Sequence, residues 1–271
     1  MDLLLLDHVH FSVPDLRRAQ ELFLPFLGGE FTPVYGGPEL NAWGTWNTSG
    51  GDFIQVIRPG EPVFGGSVIE KEGLLSVSFR VDDIDVGIAQ AESAGLRVRS
   101  RTGSAEAGFG RNVVQAQLAS AESFGLGLEL VERQIRGDPH APMTKTVVDH
   151  VEHYVSDLEA PMAFFSELFG SPFDSPWIDA DAESRSVRHS GFGIQLTAPT
   201  RAGGLADRRL ERFGPGPHAI AFKSRDLGRD VEIAKGLGLQ IAHRHESGRG
   251  ASVVEFEPED SVILKIVERR H

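Results

Sequence analysis

The chain contains no cysteine. That excludes disulfide staples, thiolate metal sites and thiol nucleophiles, and it gives no sign of an oxidising compartment. Basic residues are in deficit, 27 Lys and Arg against 39 Asp and Glu, for a net charge of −12. Such a balance argues against a nucleic acid or an anionic membrane as partner. No apolar run approaches the ~20 residues needed to cross a bilayer. The short run at residues 3–6 follows Asp2 rather than a basic segment, unlike a signal peptide. No Walker loop or dinucleotide-binding glycine fingerprint opens a helix after a strand, and no Gly-x-Ser-x-Gly elbow occurs. What remains is a chain of 271 residues, 40% hydrophobic and 24% charged, long enough for one large domain or two medium ones. The expectation is a cytoplasmic protein whose partner is a small molecule, with the oligomeric state open, a homodimer included.

The chain repeats itself. Residues Asp7, His8, Val9, Phe11, Val13, Asp15 and Leu16 return as Asp149, His150, Val151, His153, Val155, Asp157 and Leu158, with Asp, His-Val and Asp-Leu kept in place. From Asp15 to Gly28 is 13 positions, and from Asp157 to Gly170 is again 13. Phe23, Phe26 and Leu27 fall between the first pair, and Phe164, Phe165, Leu168 and Phe169 between the second, at helical spacing. Each stretch predicts a helix with an Asp near its start and a Gly at its stop. Two weaker copies begin at Leu75 and His218, where alternating strands lead to Asp83 and Asp226; a Gly follows 12 positions later in each, at Gly95 and Gly238.

Alternating segments bounded by turn residues follow each helix and predict strands, among them residues 52–58, 112–118, 127–132, 191–198, 251–257 and 262–268. The second and fourth copies close alike, as Val131-Glu132-Arg133 and Val267-Glu268-Arg269. The reading is four units of strand, helix and about three strands, divided into domains at 1–136 and 145–271 by a Gly- and Pro-bearing linker at 134–145. Residues 33–40, 60–66, 175–182 and 200–213 read as rim loops.

On these openings and this repeat, the sequence resembles the vicinal oxygen chelate superfamily, which includes glyoxalases, bleomycin-resistance proteins and extradiol dioxygenases. The resemblance implies an α+β fold of four βαβββ units paired into two tandem vicinal-oxygen-chelate-like domains. It also implies that the first and last strands of each unit point ligands into a cup. In the N-terminal half those positions read His8 and Gln55, then Ser76 and Glu129. In the C-terminal half they read His150 and Gln195, then Ala219 and Lys265. Imidazole, amide and carboxylate together suit a divalent ion of Fe, Mn, Co, Ni or Zn.

His8, Gln55 and Glu129 are thus the candidate metal ligands. His10, on the same strand face as His8, is a candidate ligand or base, and Glu129 a candidate catalytic group. In the C-terminal half the extradiol triad would need a carboxylate where Lys265 stands. His150, Glu152, Tyr154 and Gln195 are instead candidates to bind a carboxylated or phenolic ligand. The implied function is metal-dependent isomerase or lyase chemistry of glyoxalase type on a small molecule. A metal-free sequestering protein and a divergent extradiol dioxygenase are the alternatives.

Overall fold

The computed structural model describes residues 3–28, 30–37, 42–47, 53–59, 73–103, 113–119, 123–133, 148–257 and 262–269. The expected linker at 134–145 and the loop at 60–66 lie outside the described residues. The chain forms two compact bodies, Met1–Glu122 with Gly127–Thr146, and Ser123–Leu126 with Val147–His271. Among the described residues no helix is long and apolar enough to cross a membrane.

The first half runs β1 (Leu3–Ser12), α1 (Leu16–Leu27), β2 (Tyr35–Gly37), β3 (Ala42–Trp46) and β4 (Phe53–Pro59). It continues with β5 (Gly73–Val81), α2 (Ile84–Ser93), β6 (Val98–Gly103), β7 (Val113–Leu118) and β8 (Gly127–Arg133). The second half repeats it as β9 (Val148–Tyr154), α3 (Glu159–Phe169), β10 (Trp177–Asp179), β11 (Ser184–His189) and β12 (Ile194–Pro199). After α4 (Leu205–Phe213) come β13 (Gly216–Ser224), α5 (Leu227–Gly236), β14 (Ile241–Glu246), β15 (Ala251–Phe256) and β16 (Ile263–Arg269). Among the described residues each half holds one eight-stranded sheet, ordered β2-β3-β4-β1-β5-β8-β7-β6 and β10-β11-β12-β9-β13-β16-β15-β14. The expected four βαβββ units are therefore present, and α4 is an addition inside the loop expected at 200–213.

Helix starts follow from the aspartates. The Asp15 side chain accepts from the backbone N–H of Arg17 and Arg18, Asp83 from Asp85 and Val86, and Asp226 from Arg229. Helix α3 starts at Leu158 without a side-chain cap, and Asp157 accepts from the Ala160 N–H at 3.4 Å. The repeated Val-Glu-Arg ends also have a physical use. Glu132 accepts from the Ile84 N–H at 2.8 Å and Glu268 from the Leu227 N–H at 3.1 Å, placing a carboxylate on the positive end of α2 and of α5. Gly170 ends α3 in the left-handed region, φ 65°, which a residue without Cβ adopts at least cost.

Strand alternation separates two faces. Val9 and Phe11 of β1, Val77 and Phe79 of β5, and Leu128 and Leu130 of β8 are buried, and the Phe11 ring meets Phe23 of α1 at 4.9 Å. In the second half Val151, Ile220, Leu264 and Phe165 are buried alike, and His153 packs edge-on to Phe165 at 6.1 Å, on the helix side. The residues between these point to the face opposite the helices, and there the buried positions include His8, His10, Ser78 and Glu129 in the first half and His150, Glu152 and Lys265 in the second.

Candidate metal centre and its counterpart

The register of the central strands brings the site together. His8 of β1 stands beside Ser78 of β5, Ser78 beside Glu129 of β8, and His10 beside Gln55 of β4. Ser78 therefore takes the position assigned from sequence to Ser76, which pairs with His10 instead. Register shifts around His8 and His10 separate the observed pairing from one counted off the sequence.

His8, His10 and Glu129 each bring one ligand atom into a group whose members lie within 4.8 Å of one another. The Nε2 atoms of His8 and His10 are 2.5 Å apart, and each lies 3.3 Å from Glu129 Oε1. Ser78 Oγ donates to Glu129 Oε1 at 2.8 Å and lies 3.0 and 2.9 Å from Nε2 of His8 and His10. All four side chains are buried. Behind the cluster, Asp7 Oδ1 holds His8 Nδ1 at 2.8 Å while its Oδ2 accepts from Arg80 at 2.9 Å. Gln55 is buried on the neighbouring strand.

Electrostatics sharpen the picture. Burial alone would raise the Glu129 carboxyl, but the imidazoles of His10 and His8 hold it well below the usual carboxylate range. His8 is raised: burial opposes its charge, and hydrogen bonds to Asp7 and Glu129 outweigh that. Burial keeps His10 low, with Glu129 pulling the other way and His8 adding to the lowering.

This donor set fits a divalent cation. With metal–donor bonds of about 2.0–2.2 Å, neighbouring ligand atoms stand about 3 Å apart, the spacing that the three donors approach. Two imidazoles and one carboxylate on one side leave the remaining positions open. Glu129 Oε2 is buried with no hydrogen-bond partner among the described residues. Asp7 supplies the carboxylate that fixes the tautomer and orientation of a ligating imidazole.

The second half carries different chemistry on the same scaffold. His150 pairs with Ala221, Ala221 with Lys265, and Gln195 with Glu152. His150 thus stands where His8 does, Glu152 for His10, Ala221 for Ser78 and Lys265 for Glu129. The Lys265 ammonium is clamped between Glu152 Oε2 and Glu255 Oε1, the latter at 2.6 Å. Burial would lower its pKa, but Glu152 and Glu255 raise it well above the ordinary lysine value, so it stays charged. A cation already fills the place of the carboxylate ligand, and among the described residues the triad has no counterpart in this half.

His150 Nδ1 lies 2.9 Å from Asp149 Oδ2, and Arg188 and Arg269 hold the same aspartate. Tyr154 accepts from Arg209 of α4 at 2.9 Å, and Arg209 also pairs with Glu255. Burial, with the charge of Glu152, pushes the Tyr154 phenol up to about 12. Gln195 Nε2 donates to Glu152 Oε1 at 3.3 Å. His150, Glu152, Tyr154 and Gln195 all line one pocket of about 580 Å³, its open mouth included.

Sequence reasoning missed Ser78, Arg209, and the carboxylate partners Asp7 and Asp149 as site residues. The two aspartates were visible in the repeated Asp-His pairs. Arg209 was hidden in a segment read as loop. His189 packs among Phe169, Phe173 and Phe192 at 5.0, 5.3 and 5.0 Å.

No protein-family model matches the chain, and no curated protein matches it in sequence. Solved structures do. A triple mutant of 4-hydroxymandelate synthase from Streptomyces coelicolor superposes with a TM-score of 0.72 at 21% identity, over 100% of this chain and 94% of that one. The Mn(II)-bound glyoxalase from Novosphingobium aromaticivorans superposes with a TM-score of 0.62 at 15% identity, over 99% of this chain and 83% of that one. The chain has the vicinal oxygen chelate fold. At these identities the likeness is one of fold. Within that fold, the described residues bring three metal-type donors together in the N-terminal half.

Proposed function

We propose that the protein is a metal-dependent enzyme of glyoxalase type acting on a small molecule, with a divalent ion of Fe, Mn, Co, Ni or Zn held by His8, His10 and Glu129. The observation that carries the reading is the convergence of these three donors within 4.8 Å on a buried face. When bound, the ion acts as a Lewis acid toward two neighbouring oxygens of the substrate, favouring an enolate-like charge distribution. Asp7 fixes the His8 ring, and Ser78 holds Glu129 Oε1 by donating to it. Glu129 Oε2, buried without a hydrogen-bond partner among the described residues, is the acceptor placed to take a proton from the substrate carbon. His10, the other candidate base, has its Nε2 turned into the donor cluster and is read here as a ligand. Gln55 stands beside it on β4 as a fourth, weaker donor.

This makes proton transfer, as in an isomerase or lyase, the first reading. A second is favoured by the composition of the donor set, because two imidazoles and one carboxylate with open positions also suit an oxygen-using iron enzyme. Two assays on metal-loaded protein separate them. Exchange of the α-proton of 2-hydroxy ketones and 2-hydroxy acids into deuterated solvent, abolished in Glu129→Gln, supports proton transfer. Oxygen uptake with a catechol or 2-oxo acid panel and no such exchange overturns it in favour of the second.

A further inference from the structure

Asp7 and His8 are neighbours in sequence, yet their side chains meet at 2.8 Å. In a regular strand successive side chains point to opposite faces. The pairing of β1 with β5 shows the departure: Leu6 stands beside Phe79 and His8 beside Ser78, so three residues of β1 oppose two of β5 and Asp7 is the extra one. A bulge of this kind re-aims a side chain. Here it turns the Asp7 carboxylate onto the His8 ring. A carboxylate only accepts, so Nδ1 of His8 carries the proton and Nε2 keeps its lone pair for the donor cluster.

A carboxylate held at one oxygen can still turn about its Cβ–Cγ bond; a second bond at the other oxygen fixes it. Arg80 supplies that bond, its Nε donating to Asp7 Oδ2 at 2.9 Å. The Asp7 side chain is fully buried and that of Arg80 is 14% exposed. Arg80 follows Ser78 by two positions on β5, so both point to the same face. Ser78 Oγ lies 3.0 Å from Nε2 of His8, and Arg80 reaches Nδ1 through Asp7. Strand β5 thus braces the imidazole at both nitrogens. In the other half Lys223, two positions after Ala221, is exposed, and Asp149 is held by Arg188 and Arg269 instead. A guanidinium near a cation site also acts through its charge, which disfavours the cation, so orientation and charge pull in opposite directions.

We propose that Arg80 is a positioning residue of the metal centre, a role that rests on the metal reading above. It locks the Asp7 carboxylate, and through it the His8 ring, in the orientation that presents Nε2 to a bound cation.

Two substitutions separate orientation from charge. Arg80→Met removes both the donor and the charge. Arg80→Gln removes the charge alone, because its amide nitrogen stands as many bonds from Cα as the arginine Nε. In competition titration of Zn(II) against a chromogenic chelator, Arg80→Met binds about tenfold weaker, the lower end of what losing an outer partner of a ligating imidazole costs. Arg80→Gln stays closer to the unmodified protein than to Arg80→Met, and Arg269→Gln, which acts on Asp149, leaves the affinity unchanged. Added to Asp7→Asn, Arg80→Met causes no further loss, because it acts through Asp7. Equal affinities for Arg80→Met and Arg80→Gln overturn the proposal, as do tighter binding by Arg80→Met or losses that multiply in the double variant. A second readout needs no metal. In the nitrogen-15 NMR spectrum of the chelator-treated protein, the Nδ1–H signal of His8, assigned by its loss in His8→Gln, is present in the unmodified protein and in Arg80→Gln and broadened by exchange in Arg80→Met. Its absence from the unmodified protein overturns the proposal without recourse to a variant that fails to fold. Unmodified protein that takes up no Zn(II) contradicts the metal reading, and the Nδ1–H signal then decides the positioning of the ring by itself, so the two fail separately.

Discussion

Asp7 and Asp149 hold equivalent places, each bonded to the Nδ1 of the histidine that follows it. What differs is the neighbour across the sheet, Glu129 in one half and Lys265 in the other. Removing the charge of Asp7 leaves the three donors in place but loosens the His8 ring and lowers its basicity. Asp7→Asn is expected to weaken metal binding about 10–100-fold, read by competition titration against a chromogenic chelator. In the other half, Lys265→Met leaves Glu152 and Glu255 facing each other without their cation, a loss of about 3–5 kcal/mol in urea unfolding at neutral pH. The pH dependence follows from the same pair. Burial raises both carboxyls, but Lys265, joined by Arg209 at Glu255, depresses them below the ordinary 4.5. A depressed carboxyl contributes stability that is present above its unfolded pKa and lost as pH falls through its folded one. The unmodified protein therefore loses this contribution progressively below about pH 4.5. In Lys265→Met the unpaired carboxyls take up protons more readily, so the gap between variant and parent narrows as pH falls. A gap that widens on acidification contradicts the assignment.

Helices α1, α2, α3 and α5 were legible because each combines an Asp near its start, a Gly near its stop and apolar residues at helical spacing. Helix α4 was not. Gly203 and Gly204 precede it, and it buries little besides Ala206, so its polar sequence reads as loop; its role is to carry Arg209 to Tyr154 and Glu255. The first-strand pair around His8 was legible from alternation, whereas the partner on β5 was displaced by two residues, from Ser76 to Ser78. Alternation gives the face a residue points to, and the register shifts of β1 against β5 set which residue it meets. Glycine 127, at the start of β8, shows how closely those strands approach. A Cβ there would run into the Leu75 carbonyl and the Ser76 Cβ. Gly127→Ala is expected to lower stability by about 1–3 kcal/mol and to shift Glu129 out of line, seen as a lower unfolding midpoint together with weaker metal binding.

Two halves of one strand order carry opposite electrostatics. The first gathers neutral and anionic donors that suit a cation, while the second supplies its own in Lys265 and balances it with Glu152 and Glu255. The fold was readable because the repeat preserves spacing, and His8, Glu129, His150 and Lys265 lie on the first and last strands that the repeat marked out. The division of labour was only half readable: Lys265 announced the absence of a carboxylate ligand, but its clamp needs Glu255 from β15, a contact that no local pattern encodes. Elemental analysis of protein purified without a polyhistidine tag or chelator, and offered divalent metals, tests the account most directly. One equivalent of metal per chain, retained in His150→Ala and lost in Glu129→Gln, is the expected result. No metal taken up, or metal lost in His150→Ala and kept in Glu129→Gln, contradicts it.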